Sequence, residues 1–389
     1  MRTDQQAPTS SRDVQALKAA YLRARHGLSQ DEIRHYLGNV SQSHVSRLLA
    51  HAADKGWLEV ELRFNDRGLP PEVMRDLQQL LAPRGLVEGL RKLGQTTGGF
   101  IPEVRVFDSG SDSPTAGAFD LRSRRLGRSA AGRLIELLQR ASIVGVTWGR
   151  TVGALVQGLE AAGRSLSKDR SIQFVPVTAE LLTLALPDHS STLLAERLNN
   201  SVGNGSGERL LLGGVPAFIP RRYDKAKTRA IREYVQDAAS YRRIFVGENA
   251  LIRQMDTIIT SVGSSERPFG GAQSEVMLAG DISAAELRSL IAGDVGGVLI
   301  PKSGLSAQDT ALLAEINAMW TGITMDHLSW LARNAAENGT PGVVVIAIGR
   351  ERAEVTYEMI SQQLVNQLVI DWDLANALEA RITLGKEAS

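Results

Sequence analysis

The sequence contains no cysteine. That excludes a disulfide framework, a thiolate zinc site and a cysteine nucleophile, and it suits a reducing compartment, so we expect a cytoplasmic protein. It also lacks an excess of either charge. Lys and Arg number 44 and Asp and Glu 43, for a net charge of +1. Any role with nucleic acid must therefore rest on local charge placement, not on bulk basicity. Long apolar runs are missing too. None approaches the roughly 18 residues that suggest a membrane span. The polar stretch Met1 to Arg12 has no apolar segment of a signal peptide, so no membrane partner is expected. Aromatic residues make up 5% of the chain. Trp320, Trp330 and Trp372 read as core or rim packing, and Trp148 could take a sugar ring against its face. No metal site is expected. His26, His35, His44 and His51 are spread over three helical stretches, and His189 and His327 lie in no recognisable constellation.

What is present is a soluble, core-forming composition, 43% hydrophobic and 22% charged over 389 residues. That length suits a small domain plus a large one. The first twelve residues read as a loose tail. Val14, Leu17, Ala20, Tyr21 and Ala24 then recur at helical spacing until Gly27. Ser29 stands three residues before Glu32, a capping box that opens a second helix carrying Ile33 and Leu37. After the short turn Gly38-Asn39-Val40, Ser41 can cap a third helix with Val45, Leu48 and Leu49 on its apolar face.

Two short helices joined by a tight turn, with a third packed in front, is the helix-turn-helix plan. Its second paired helix enters the major groove, led by its N-terminal residues. The candidate DNA-binding residues are thus Ser29, Gln30, Ser41, Gln42, Ser43, His44, Ser46 and Arg47. Gln suits adenine, Arg suits guanine, and Ser suits bases or phosphates. Up to Ala53 there are seven Lys and Arg against four acids. Trp57 to Phe64 alternates apolar and polar residues, as in the strand of a winged variant. We therefore expect a winged helix-turn-helix over residues 13–65, followed by a linker and helical connector over 66–100.

From residue 101 to 389, helical stretches alternate with apolar, β-rich runs. Strands are expected at Glu103–Phe107, Ser142–Thr147, Ser171–Val177, Asp256–Val262, Gly297–Ile300, Gly342–Ile348 and Gln367–Ile370, with helices between. Among the helices are Leu126–Arg140, Thr151–Ala162, Glu286–Ile291 and Glu351–Leu364. The pattern implies a doubly wound, mostly parallel α/β sheet. Such sheets bind ligands beyond the carboxyl ends of their strands. Two strand-to-helix loops fall there. Thr147-Trp148-Gly149-Arg150-Thr151 offers a glycine, a cation, a hydroxyl and a helix start, suited to an anion such as phosphate, although an ordinary turn with Arg150 in a surface ion pair fits equally well. Gly349-Arg350-Glu351-Arg352 repeats the logic more weakly, and Glu351 could pair with either Arg.

The runs Leu28-Ser29-Gln30, Leu37-Gly38 and Val45-Ser46-Arg47-Leu48-Leu49, the segment Gly145 to Thr151, and Asn366 to Asp371 resemble, in the same order, the SorC family of sugar-responsive transcriptional regulators. The resemblance implies a winged helix-turn-helix followed by a domain related to sugar-phosphate isomerases, usually without catalysis. It also implies double-stranded operator DNA and a small carbohydrate or sugar phosphate as partners, a homo-oligomer (dimer or tetramer), and no cofactor. Phosphate contacts would fall on Gly149, Arg150 and Thr151, with a further cation at Arg352; Trp148 and Glu180 complete the candidate effector-binding residues. The chain departs from the family pattern at Arg34, at the extra turn residue Asn39, and at Thr178-Ala179-Glu180, where a glycine pair is usual. Ser261-Val262-Gly263 and Gly296-Gly297 deviate as well. A carboxylate at Glu180 would disfavour a second phosphate nearby, so we expect an unusual or weakly bound effector. Two other functions compete. An isomerase-like enzyme would need a general base such as Glu180 or Asp371, and a scaffold with a protein-binding N-terminal module would show no salt-dependent DNA affinity.

Overall fold

The computed structural model describes residues 10–58, 73, 82–97, 99–110, 117–162, 171–181, 187–203, 208–266, 270–280 and 282–387. The chain divides into two compact units, Met1–Met74 and Arg75–Ser389. The first holds helices α1 (Ser11–His26), α2 (Gln30–Tyr36) and α3 (Gln42–Asp54). Each opens on a serine that satisfies a free N–H of the first turn. Ser10 and Asp13 cap each other reciprocally at α1, Ser29 and Glu32 do so at α2, and Ser41 accepts from the His44 N–H at α3. The Ser10–Asp13 box draws Ser11 and Arg12 into α1, so the expected tail ends two residues earlier. Asp13 is buried and lies 2.7 Å from His51 Nε2.

The core of this unit is Ala16, Ala19 and Ala20 of α1 against Ile33, Val45, Leu48, Leu49 and Ala52. The small alanines let α3 approach α1 closely. Between α2 and α3 the chain turns through two left-handed residues, Gly38 (φ 87°) and Asn39 (φ 58°), and Asn39 bonds back to His35 at 2.9 Å. The extra turn residue is thus absorbed locally, since Asn tolerates this backbone region better than most residues. Trp57 and Leu58 are irregular, with Leu58 buried. The rest of the expected wing strand, 59–64, and the linker Asp66 to Pro71 lie outside the described residues.

The second unit begins its described part with the helix Arg84–Thr97. Leu86 and Leu90 are fully buried and share a core with Leu378 and Ile382 of the closing helix Trp372–Glu387. Gly89 permits this contact, because a Cβ there would come within 2.8 Å of Ile382. Leu86 and Leu90, which fall in the segment expected to connect the domains, thus pack into the core of the larger one.

Nine strands follow among the described residues: β1 (Glu103–Phe107), β2 (Ile143–Val146), β3 (Gln173–Pro176), β4 (Thr257–Thr260), β5 (Val262–Ser264), β6 (Ile291–Val295), β7 (Val298–Pro301), β8 (Gly342–Ala347) and β9 (Gln367–Asp371). Six form one parallel sheet in the order β1-β9-β8-β4-β2-β3. Successive residues of its central strands enter opposite cores. Val343 and Val345 join one, Val344 and Ile346 the other. Burial on both faces explains why these strands read as continuous apolar runs. The other three form an antiparallel sheet, β5-β6-β7.

That small sheet corrects two expectations. The run Asp256–Val262 is not one strand: β4 ends at Thr260 and β5 starts a new sheet at Val262. The helix expected over Glu286–Ile291 runs Ala284–Leu290, and Ile291 opens β6. β6 and β7 are joined by a two-residue turn, Gly296 (φ 54°) and Gly297 (φ 97°). Both residues need the left-handed region, which only glycine enters freely.

Candidate effector cavity and nucleic-acid interface

In the parallel sheet, β2 lies between β3 and β4. The chain leaves β2 in one direction to form β3, then crosses back over it to form β4. This is the switch point at which such sheets open a crevice. A cavity of about 760 Å³ lies there, lined from the loops after β2, β3, β4 and β8. It brings together all six residues singled out for an effector: Trp148, Gly149, Arg150, Thr151, Glu180 and Arg352.

The β2 loop is held from below. Thr147 donates to Thr260 at 3.0 Å, the Trp148 N–H to the Thr178 hydroxyl at 3.2 Å, and the Gly149 N–H to the His189 carbonyl at 3.1 Å. Gly149 takes φ 131°, which closes the loop onto the helix Arg150–Ala162. The free N–H groups of that first turn face the same crevice, a favourable place for an anion. Arg150 is half exposed and 3.4 Å from Asp120. It therefore lines the cavity and makes a surface ion pair, the two readings the sequence left open. Exposed pairs of this kind contribute little, about 0–1 kcal/mol, so Asp120 is a weak competitor for the guanidinium.

Arg352 is held more tightly. It donates to the carbonyls of Val262 (3.0 Å) and Ile348 and pairs with Glu351. Its visible work is to brace β5 against the loop after β8 while it faces the cavity. Phe119 lies between the two cations, with the guanidinium carbons of Arg150 and Arg352 at 4.4 and 5.0 Å from its ring centre. Glu180 is exposed. Its backbone bonds to Val215 and Ala217, and its carboxylate has no hydrogen-bond partner among the described residues. Trp148 packs on Trp320 at 6.1 Å.

Among the other lining residues, sequence reasoning missed Phe119, His189 and Asp294, while Ser261 already stood among the departures from the family pattern. Asp294 sits on β6, accepts from Gln273 at 2.8 Å and is buried. Burial raises its pKa against the pull of Gln273, the Gly297 N–H and Arg352. His189 follows the segment after β3. Burial lowers its pKa, so it is neutral near physiological pH, and its Nδ1 is buried with no partner among the described residues. The Gly296-Gly297 dipeptide was the usable signal for Asp294. A Gly-Gly pair between apolar runs marks a hairpin, and a hairpin puts Asp294 on a strand end.

At the other candidate surface, Ser41, Gln42, Ser43, Ser46 and Arg47 are exposed along the first turns of α3. Ser41 and Ser29 are partly committed to capping, and Ser29 also donates to Glu32 at 2.8 Å. Gln30 is half buried at the start of α2. His44 is half buried with its Nε2 3.4 Å from Gln15 of α1. It faces its own core more than the other candidates do. Among the described residues there is no cluster of His, Asp or Glu able to hold a metal, and no helix long and apolar enough to cross a membrane.

The family model described as "Putative sugar-binding domain" matches residues 103–378. The chain belongs to this sugar-binding domain family. The resemblance to SorC-family regulators agrees with the match in fold. The full-length sorbitol operon regulator SorC from Klebsiella pneumoniae superposes with a TM-score of 0.56 at 19% identity, covering 95% of this chain and all of that one. A DeoR family transcriptional regulator from Listeria monocytogenes gives 0.51 at 18% identity over 76% of this chain and all of the other. No curated protein matches the chain in sequence. The match of the family model takes in the loops after β2, β3, β4 and β8, and so the whole cavity.

Proposed function

We propose that this protein is a DNA-binding transcriptional regulator, controlled by a small carbohydrate or sugar phosphate held in the cavity at the sheet's switch point. It works without a cofactor, as a homo-oligomer on double-stranded operator DNA. The observation that carries the reading is the make-up of the cavity. A helix N-terminus and the Arg150 guanidinium suit a phosphate or other anion. Glu180 and Asp294 line the same cavity and suit the hydroxyl protons of a polyol, and Trp148 offers a face for the ring. A purely anionic site would not hold two carboxylates.

The enzyme reading is weaker. Asp371, one of its two candidate bases, is fully buried and accepts from Ser109, Arg122 and the N–H groups of Gly349 and Leu374. Four donors hold it as an acceptor that ties β9 to the loop after β8, which leaves it no proton-abstracting role. Control would act by population shift: effector and DNA favour different arrangements, with a reciprocal coupling of about 1–3 kcal/mol.

Calorimetric titration of the full chain with a panel of sugars and sugar phosphates tests the assignment. One ligand should bind wild type and lose most of its affinity for Arg150→Ala. Equal binding to both proteins would remove Arg150 from the site, and turnover of any panel member would revive the enzyme.

A further inference from the structure

Away from the cavity, the second unit carries a dense run of positive charge. Residues 221–232 hold six cations (Arg221, Arg222, Lys225, Lys227, Arg229 and Arg232) against one carboxylate, Asp224. With +5 there in a chain of net +1, the remaining residues carry −4. Packing does not call for such a concentration. Lys225, Lys227, Arg229 and Arg232 are all exposed, and the Arg229 side chain is 82% exposed.

The charges are also ordered. Asp224 caps the helix Lys225–Asp237 by accepting from the Lys227 N–H at 2.7 Å. Lys225, Arg229 and Arg232 then recur at the i, i+4, i+7 spacing of one helical face. Together with Arg221 and Tyr223 they line an open groove of about 520 Å³ that extends to Gln236. The partners present compete weakly. Glu233 meets Arg229 at 3.1 Å and Glu315 meets Arg221 at 3.3 Å, both with exposed carboxylates. Arg232 donates to the Ala318 carbonyl at 2.9 Å, which fixes its direction and leaves its charge in place. No ion pair to Lys225 occurs among the described residues.

From Lys225 to Arg232, the last cation of this face, the helix advances about 10 Å. One strand of duplex DNA presents roughly three phosphates over that length. A linear track of cations fits a polyanion better than a compact ligand, whose charge would meet only one or two of them. We infer that this groove is a second, sequence-independent contact for the phosphate backbone of duplex DNA, in addition to the recognition helix α3. This rests on the chain being a DNA-binding protein.

The test is a salt series with the full chain and a random-sequence duplex, comparing wild type with the double variant Lys225→Gln, Arg229→Gln. Each lost phosphate contact should make the dependence of log affinity on log salt shallower by about 0.9. A fourfold rise in salt should then weaken the variant by about twelvefold less than it weakens wild type. An unchanged slope in the double variant, with wild type still bound, overturns the inference and leaves the regulator intact. A change in the variant's oligomeric mass by light scattering overturns it too, and reassigns the face to contact between copies. Displacement of the duplex by inorganic phosphate at equal phosphate concentration also overturns it, in favour of a small-anion site. Failure of wild type to bind any duplex would instead defeat the regulator reading itself.

Discussion

The two candidate sites are built in opposite ways. The recognition surface is one contiguous stretch, Ser41 to Arg47, displayed on a helix whose other face is buried. The cavity is assembled from residues 119 to 352, drawn to one point by the crossover of a parallel sheet. In the first, most polar side chains face solvent and their bonds stay within α3 and its cap, apart from His44, which meets Gln15 of α1. In the second, charges are already engaged with the protein: Arg352 with two carbonyls and Glu351, and Asp294 with Gln273. A contiguous site tolerates change at one residue and loses only that residue's contact. An assembled site depends on braces that touch no ligand.

That contrast can be broken at several points. The largest effect should come from the core behind the recognition face. Leu48 is fully buried between α1 and α3, and Leu48→Ala should cost about 2–5 kcal/mol. Specific binding to the operator should disappear, leaving at most the weaker phosphate contact of the second unit, while ligand binding by that unit persists. Loss of both together would show that the two sites are not separable. Next is Arg47→Ala, which removes a candidate base reader. Operator affinity should fall by about 1–3 kcal/mol, with a smaller loss on random DNA. An equal loss on both would make Arg47 a phosphate contact.

The smallest effect sharpens the comparison from the cavity side. Burial raises the pKa of Asp294, so its folded form holds the proton more tightly than the unfolded chain does. Its contribution to stability is therefore full below the unfolded pKa and lost as pH rises through the folded one. Asp294→Asn should raise the melting temperature above neutrality, and the gain should vanish in acid. A gain independent of pH would mean that packing, not charge, is responsible.

The same contrast explains what could be read from the sequence. Three helices, two of them with their serine caps, and six parallel strands were legible because each is a local pattern; the Ser10 cap of α1 was not read. The loop Trp148 to Thr151 stood out because a strand-to-helix turn with a glycine and a cation is a local pattern, although the residues alone fitted an ordinary turn equally well. Asp294 and Phe119 were not, since each sits in an ordinary strand or helix and matters only through what the topology brings beside it. The small sheet was missed because β5 follows β4 after a single residue, Ser261, so two strands of different sheets read as one. Residues 224–239 show only a helical pattern in the sequence. Their charge became informative only once Lys225, Arg229 and Arg232 shared a face.

The central claim is that occupancy of the cavity controls grip on DNA. It is tested most directly by fluorescence anisotropy of the full chain on a duplex from the upstream region of its own gene, with and without the ligand found by calorimetry. The account predicts specific, salt-sensitive binding that the ligand shifts by about five- to 150-fold, and a shift absent in Arg150→Ala although its ligand-free DNA affinity is unchanged. Binding to that duplex that no cavity ligand alters would contradict it.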